Sequence, residues 1–219
     1  MIPAATADLE VEVLKLLSDA RADLGDEITV KREQGLLFVR GLVETPSRRT
    51  EILNAMESVR SHPALRIELD TVNEALAKKK NRGAVRPSGV ETLETETLGS
   101  AAESELIQRF GSEAEARRFA SKVVGRSGQA MSHVYALRRL SKQFSPAEIR
   151  AFSPEARSKW IALVRSHAAA FKAASQTISA DLANAFGGSA ATGSTNVTIN
   201  SDNDLSVAIE SLFRSRLDQ

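Results

Sequence analysis

The sequence of 219 residues predicts an α+β protein: an N-terminal αββαβ module, then a linker, then a mainly α-helical segment with a long antiparallel helical hairpin. Apolar residues alternate along residues 35–43, as in a strand, and recur every three or four residues before and after them, as in helices. Gly, Pro and Thr are concentrated between these patterns, as in a linker or extended arm. The predicted units are residues 6–74, 75–100 and 101–219.

The N-terminal module begins with an amphipathic helix. Asp8 and Glu10 lie at its start, where the helix dipole favours carboxylates. Its apolar residues recur at helical spacing and predict one buried stripe, formed by Leu9, Val13, Leu16, Leu17, Ala20 and Leu24. Gly25 is expected to end this helix. Ile28 and Val30 then alternate with polar residues, which predicts a short, half-buried strand.

The second strand, residues 36–43, has apolar side chains on both faces, which favours a central position in the sheet or a sheet whose outer face is also covered. Gly41 inside this strand indicates a bulge or a close approach of backbone. Thr45 and Pro46 predict the start of the next helix. Residues 65–71 alternate between apolar and polar and predict a third strand. Together these elements predict one sheet with two helices on one side.

The pattern Gly-x-Leu-x-Val-x-Gly-x-Val at residues 35–43, followed by a helix and a hydrophobic strand, resembles the BON-type domain, a small α+β module of bacterial cell envelopes. The resemblance covers roughly residues 8–73 and departs from the family pattern at residues 63–65 and at Asp70. It implies attachment to phospholipid surfaces or to envelope protein assemblies, and it carries over no catalytic residues. Ring-forming domains of secretion systems have a similar order of helices and strands.

Residues 101–219 carry repeated helix-start signals. Residues 112–115 have the capping-box pattern, and Ser-Pro pairs stand at 145–146 and 153–154. Apolar residues at helical spacing describe the first long helix: Phe119, Val123, Val124, Ala130, Met131, Val134, Leu137, Leu140 and Phe144. Two long helices joined by a short one predict the antiparallel hairpin. A Gly/Ser-rich loop is expected at 187–200, with a last helix after it.

The basic residues of the first long helix are the candidate binding site. Residues 116–147 contain no Asp or Glu. Arg118, Lys122 and Arg126 step by four residues and share one helix face, so we expect that they are not neutralised locally. Arg138 and Lys142 repeat the spacing further along. The alternative interpretation is a solvated face opposite the apolar residues.

Charge and composition narrow the class of partner. An anionic membrane surface or an acidic protein suits these cations. Nucleic acid is disfavoured, because aromatic residues make up only 5% of the chain and its pI is about 8.0. Self-association is the other expectation, since the small residues Ala168, Ala169, Ala170, Ala173 and Ala174 permit close approach of a second helix.

No motif predicts an enzyme, a cofactor, a metal site or a small-molecule substrate. The chain has no cysteine, which excludes disulfides and thiol chemistry. His133 and His167 are able to meet across the predicted hairpin, but exposed or core-edge histidines are the favoured interpretation, because no carboxylates nearby complete a ligand set. Asp202, Asn203 and Asp204 are interpreted as a helix cap, since they lack the Gly and distant Glu of a calcium loop.

The sequence therefore predicts a non-enzymatic regulatory or sensory ectodomain of a bacterial envelope protein, which binds a protein partner or an anionic surface. The alternative is a structural or adaptor module that oligomerises through the long hairpin. The predicted location is periplasmic, as part of a larger membrane-anchored protein, and the alternative is cytoplasmic. No apolar run approaches the roughly 18 residues that span a bilayer. Met1 leads into a polar helix start rather than a signal peptide, so a trimmed N-terminus is expected if the chain is exported.

Overall fold

The computed structural model describes residues 4–81 and 101–187. It is a mixed α+β structure, mostly helical, and the predicted α+β class is confirmed. The elements in chain order are α1 (Ala7–Asp19), β1 (Glu27–Glu33), β2 (Leu36–Val43), α2 (Pro46–Ala55), α3 (Glu57–Arg60), β3 (Leu65–Thr71), α4 (Val72–Asn81), α5 (Ala101–Phe110), α6 (Glu113–Gln143), α7 (Pro146–Ala151) and α8 (Pro154–Phe186). The predicted loop at 187–200, after its first residue, and the predicted last helix lie outside the described residues.

The three strands form one sheet in the order β1-β2-β3, so β2 is central, as the sequence predicts. β1 and β2 are antiparallel, and β2 and β3 are parallel. Gln34 and Gly35 join the antiparallel pair with φ values of 50° and 78°, which is the conformation of a two-residue hairpin turn. Gly41 lies opposite Ile28 on one side and Leu69 on the other.

The first hydrophobic cluster lies between the sheet and the helices α1 and α2. Its members with the least exposure are Val13, Leu37, Val39, Val43, Ile52 and Met56. Met56 separates α2 from α3 and is fully buried. The sheet therefore has one covered face in the described residues, and the alternating side chains of β1 and β3 point away from it to solvent.

A second hydrophobic cluster joins α1 to the helices of the C-terminal part. It contains Val11 of α1 together with Leu137, Leu140, Phe144, Ile149, Phe152, Ala156, Trp160, Leu163 and Val164. Leu14 packs against both clusters. The sequence predicts one buried stripe on this first helix, but α1 buries residues on two sides because α8 covers the side that faces away from the sheet.

Two local boundaries differ from the sequence-based expectations. α1 ends at Asp19 instead of near Gly25, because Arg21 adopts a left-handed conformation with φ of 54° and turns the chain so that Ala22 is buried. α4 occupies the first part of the predicted linker at 75–100, up to residue 81. Thr71 begins it: the Glu74 carboxylate accepts from the Thr71 backbone N–H at 2.8 Å, and the Thr71 hydroxyl accepts from the Glu74 N–H at 3.3 Å.

The long helices α6 and α8 lie against each other in opposite directions. Lys122 in the first half of α6 contacts Asp181 near the end of α8, and His133 in the middle of α6 contacts His167 in the middle of α8. α5 packs on the start of α6, where the rings of Phe110 and Phe119 lie 4.8 Å apart.

Candidate functional site

The predicted cations of α6 fall on two different sides of the helix. Arg118 is exposed, one turn before Lys122. Lys122 and Arg126 face α8, where both pair with the Asp181 carboxylate; the Lys122 Nζ–Asp181 Oδ1 distance is 2.9 Å. The expectation that these cations are not neutralised locally is therefore wrong for two of the three. The acid comes from a helix 55 residues along the chain from Arg126, beyond any local window of sequence.

The opposite side of α6 carries exposed apolar and basic residues in a single line. The spacing alternates between four and three residues, which keeps side chains on one side of a helix. We call this line the outer stripe; its members are Val124, Gly128, Met131, Tyr135, Arg138 and Lys142. The exposed fraction is 70% for Val124, 36% for Met131 and 55% for Tyr135. A Cβ at Gly128 would meet nothing within 4 Å, so no neighbouring element covers this face within the described residues.

Val124 and Met131 belong to the regularly spaced apolar residues of this helix, but both are exposed. The residues that contact α8 and the N-terminal module follow a separate line through Ala130, Leu137 and Leu140. The 4-3 spacing from Val124 to Lys142 is visible in the sequence and could have revealed a second apolar face. Only the structure shows which of the two faces is covered.

Three ionisable side chains meet where α6, α8 and the loop after α1 come together. The Nδ1 atoms of His133 and His167 are 3.1 Å apart. The Nε2 atom of His167 lies 2.8 Å from Asp23 Oδ2, a close contact whose N–H alignment departs from that of an ideal hydrogen bond. His167 is only 3% exposed. Arg139 of α6 donates to the backbone carbonyl of Asp23 and fixes the loop from the other side.

The surroundings shift the pKa values of this cluster. Burial and the neighbouring charge of His167 lower the pKa of His133, although Asp23 opposes the shift. Burial opposes ionisation of Asp23, but the neighbouring His167, together with Ser18, outweighs this effect and lowers the pKa of Asp23. In the part of the chain that the structure describes, no group of three or more His, Asp or Glu side chains is arranged to hold a metal ion.

A second polar cluster ties the N-terminal module to the start of α7. Glu10 is 1% exposed and pairs with Arg32 and Gln143, and Arg32 also pairs with Glu148. Burial raises the pKa of Glu10 in spite of these partners. The backbone N–H of Ser145, Arg32 and the Ser145 hydroxyl lower the pKa of Glu148 to about 2. These polar groups bond one another, so the cluster has a structural role and holds the N-terminal module against α7.

An open groove of about 920 Å³ lies beside the start of α2. Its central cation, Arg48, already bonds Asp26, Glu51 and the carbonyl of Ala20. The charge of Arg48 is therefore already offset within the protein.

No protein-family model, curated protein or solved structure matches this chain. No described helix is both long and apolar enough to cross a membrane.

Proposed function

We propose that the protein is a non-enzymatic binding module that attaches to an anionic lipid surface through the outer stripe of α6. The observation that carries this proposal is the combination of exposed Val124, Met131 and Tyr135 with Arg138 and Lys142 on one side of an acid-free stretch of helix. Helices that lie in a membrane interface combine these two kinds of side chain, because apolar groups enter the acyl boundary and cations pair with headgroups.

The expected free energy of membrane binding suits weak, reversible attachment. From Val124 to Lys142 the stripe extends roughly 27 Å along the helix, at about 1.5 Å per residue. Each Lys or Arg near an anionic surface contributes about 1 kcal/mol. Burial of apolar carbon adds about 0.8 kcal/mol for each methylene group that leaves water. Two cations and three apolar side chains therefore give an affinity that depends strongly on salt and on lipid charge.

Charge favours a lipid surface over a second copy of the chain. Two outer stripes packed face to face would bring the cations Arg138 and Lys142 near the cations of the other copy. Like charges at such an interface oppose association. An adaptor that oligomerises through a hairpin formed by α6 and α8 is the second candidate, and the small residues of α8 support it.

The proposed setting is the bacterial envelope. We infer that the sheet, α1 and α2 form a BON-like αββαβ module in a periplasmic ectodomain of a larger, membrane-anchored protein that senses or regulates. The pattern at residues 35–43 and the outer stripe support this setting, because both point to a phospholipid surface. A native gene that encodes no export signal or membrane anchor before Met1 would contradict it.

The test is co-sedimentation of the full chain with vesicles of phosphatidylglycerol, and of phosphatidylcholine for comparison. The double variant Arg138→Gln/Lys142→Gln should weaken binding to the anionic vesicles by about 30-fold, because two cations at about 1 kcal/mol each are removed. The matched control, Lys122→Gln/Arg126→Gln, removes the same charge from the side that pairs with Asp181. This control variant should lose much less of its binding to anionic vesicles.

Tyr135 gives an independent readout, because it is the only tyrosine of the chain. The NMR signal of a fluorotyrosine label there should broaden and shift when anionic vesicles are added. It should stay unchanged when neutral vesicles are added. Equal losses of vesicle binding in the two double variants would show that the attraction is nonspecific and would contradict the proposed site. A concentration-dependent dimer by light scattering, with no vesicle binding at low salt, would favour the oligomerising adaptor instead.

A further inference from the structure

We propose that Asp23, His167 and His133 form a proton-sensitive latch, which holds the loop after α1 against α6 and α8 at neutral pH and releases it on acidification. The inference is independent of the membrane proposal, because none of the three residues belongs to the outer stripe. The three side chains come from three separate elements and meet in one line, with contacts of 2.8 Å and 3.1 Å.

Counting protons shows why the arrangement is sensitive to pH. At 3.1 Å only one of the two Nδ1 atoms can carry a hydrogen, since one nitrogen must accept the bond that the other donates. A neutral pair satisfies this rule when His133 Nδ1–H donates to His167 Nδ1 and the His167 Nε2–H faces Asp23. A pair with one added proton also satisfies it, because the two rings share the central hydrogen. A second added proton places two N–H groups and two positive charges face to face.

The charged groups around the latch determine the order of these steps. Asp23 supplies one negative charge and remains ionised through the range in which histidines titrate, because its pKa is lowered. Arg139 of α6, which donates to the Asp23 carbonyl, adds a positive charge on the same side. The single carboxylate offsets one positive charge on the histidine pair, and a second positive charge is opposed by the first and by Arg139.

The sign of the effect follows from the lowered pKa of His133. A group whose pKa is lower in the folded than in the unfolded chain stabilises the folded state above its ordinary pKa, near 6.5 for His. That contribution is lost as the pH falls through the folded value. Acidification below about pH 6.5 therefore weakens the contact between the loop and the two long helices.

Only one edge of the molecule should respond. A small cavity of about 50 Å³ lies behind the latch, lined by Leu17, Ala22, Asp23, Ile28, Arg139 and Leu163. Release of Asp23 would open this cavity to water. The pair Lys159–Glu12 ties the other end of the α1–α8 contact and contains no histidine. It should stay closed at pH 5.

The experiment measures urea unfolding of the full chain at several values between pH 7.5 and 5, with the single tryptophan, Trp160, as reporter. Trp160 is 2% exposed and lies two turns before His167 on α8. We expect the unfolding equilibrium constant of the parent to rise over this range, because the lowered pKa of His133 means that the unfolded chain binds this proton more readily than the folded chain. His133→Gln should lose most of that pH dependence, and His62→Gln should retain it.

The histidine nitrogen NMR spectrum of the unaltered protein provides a test that no folding defect can obscure. At pH 7.5 one Nδ1 of the pair should carry a hydrogen and the other should not, with a coupling or exchange signature between them. If both rings carry their hydrogen on Nε2 and neither Nδ1 carries one, the proposed latch is wrong. An equal pH dependence of stability in the parent and in His133→Gln would overturn it as well.

Discussion

At the scale of single residues, Gly41 has the least space of any glycine in the described chain. A Cβ built on it would approach the Ile28 Cα to 2.8 Å and the Ile28 Cγ1 to 2.9 Å, and it would contact the carbonyl oxygen of Glu27. These atoms belong to the neighbouring strand β1, whose backbone cannot move without breaking its ladder with β2. The close approach of backbone expected from the sequence is therefore the reason for a glycine here.

Replacement of Gly41 should destabilise the protein strongly. We expect Gly41→Val to lower the free energy of unfolding by about 3 kcal/mol, at the upper end of what overpacking costs, as measured by urea denaturation. The matched control is Gly125→Ala in α6, where a Cβ would meet nothing within 4 Å. Because alanine favours a helix over glycine, this control should gain about 0.5–1 kcal/mol. A stable Gly41→Val variant would show that β1 and β2 do not pair in this register.

At the scale of elements, the sequence predicts those features that depend on local chemistry. The three strands and the starts of α2, α6, α7 and α8 follow from alternation, capping residues and Pro. Features that depend on partners distant in sequence were not predictable. Val11 and Glu10 are buried because α8 and Gln143 cover them, and Asp181 neutralises Lys122 because α8 returns alongside α6.

α4 is an intermediate case, because its start signal is local but its composition resembles that of a linker. Thr71 and Glu74 have the capping-box spacing, yet the polar and basic residues that follow suggested a linker. Thr71→Val keeps the side-chain shape and removes the hydroxyl, so we expect a loss of about 1 kcal/mol and faster amide exchange over residues 74–78. Thr50→Val is the control, because Thr50 is exposed inside α2 and caps nothing. Unchanged exchange in Thr71→Val would mean that α4 does not depend on this cap.

At the scale of the whole molecule, α1 belongs to two cores at once. Its contacts with the sheet hold the N-terminal module together, and its contacts with α8 attach that module to the helices. The sequence predicts that few contacts cross between residues 6–74 and 101–219, so that the first unit would fold alone. The structure instead places Val11 among the aromatic residues of the second cluster and pairs Arg32 with Glu148.

A fragment of residues 1–81 should therefore be less stable than the same residues in the full chain. It retains the sheet, α1, α2 and α4, but it exposes Val11 and leaves Glu10 without Gln143. We expect a deficit of about 2–4 kcal/mol, from lost apolar burial and from a buried carboxylate with fewer partners. Amide hydrogen exchange of Leu37 and Val39 in β2, both fully buried, measures this difference in both contexts.

Val11→Ser distinguishes a lost interface from a general effect of truncation. In the full chain the substitution removes an apolar side chain from the second cluster and should cost about 2 kcal/mol or more. In the fragment the same position faces solvent, so the cost should fall within about 0.5 kcal/mol. Equal exchange rates for β2 in the two contexts, together with equal costs for Val11→Ser, would mean that the N-terminal module folds without help from α8.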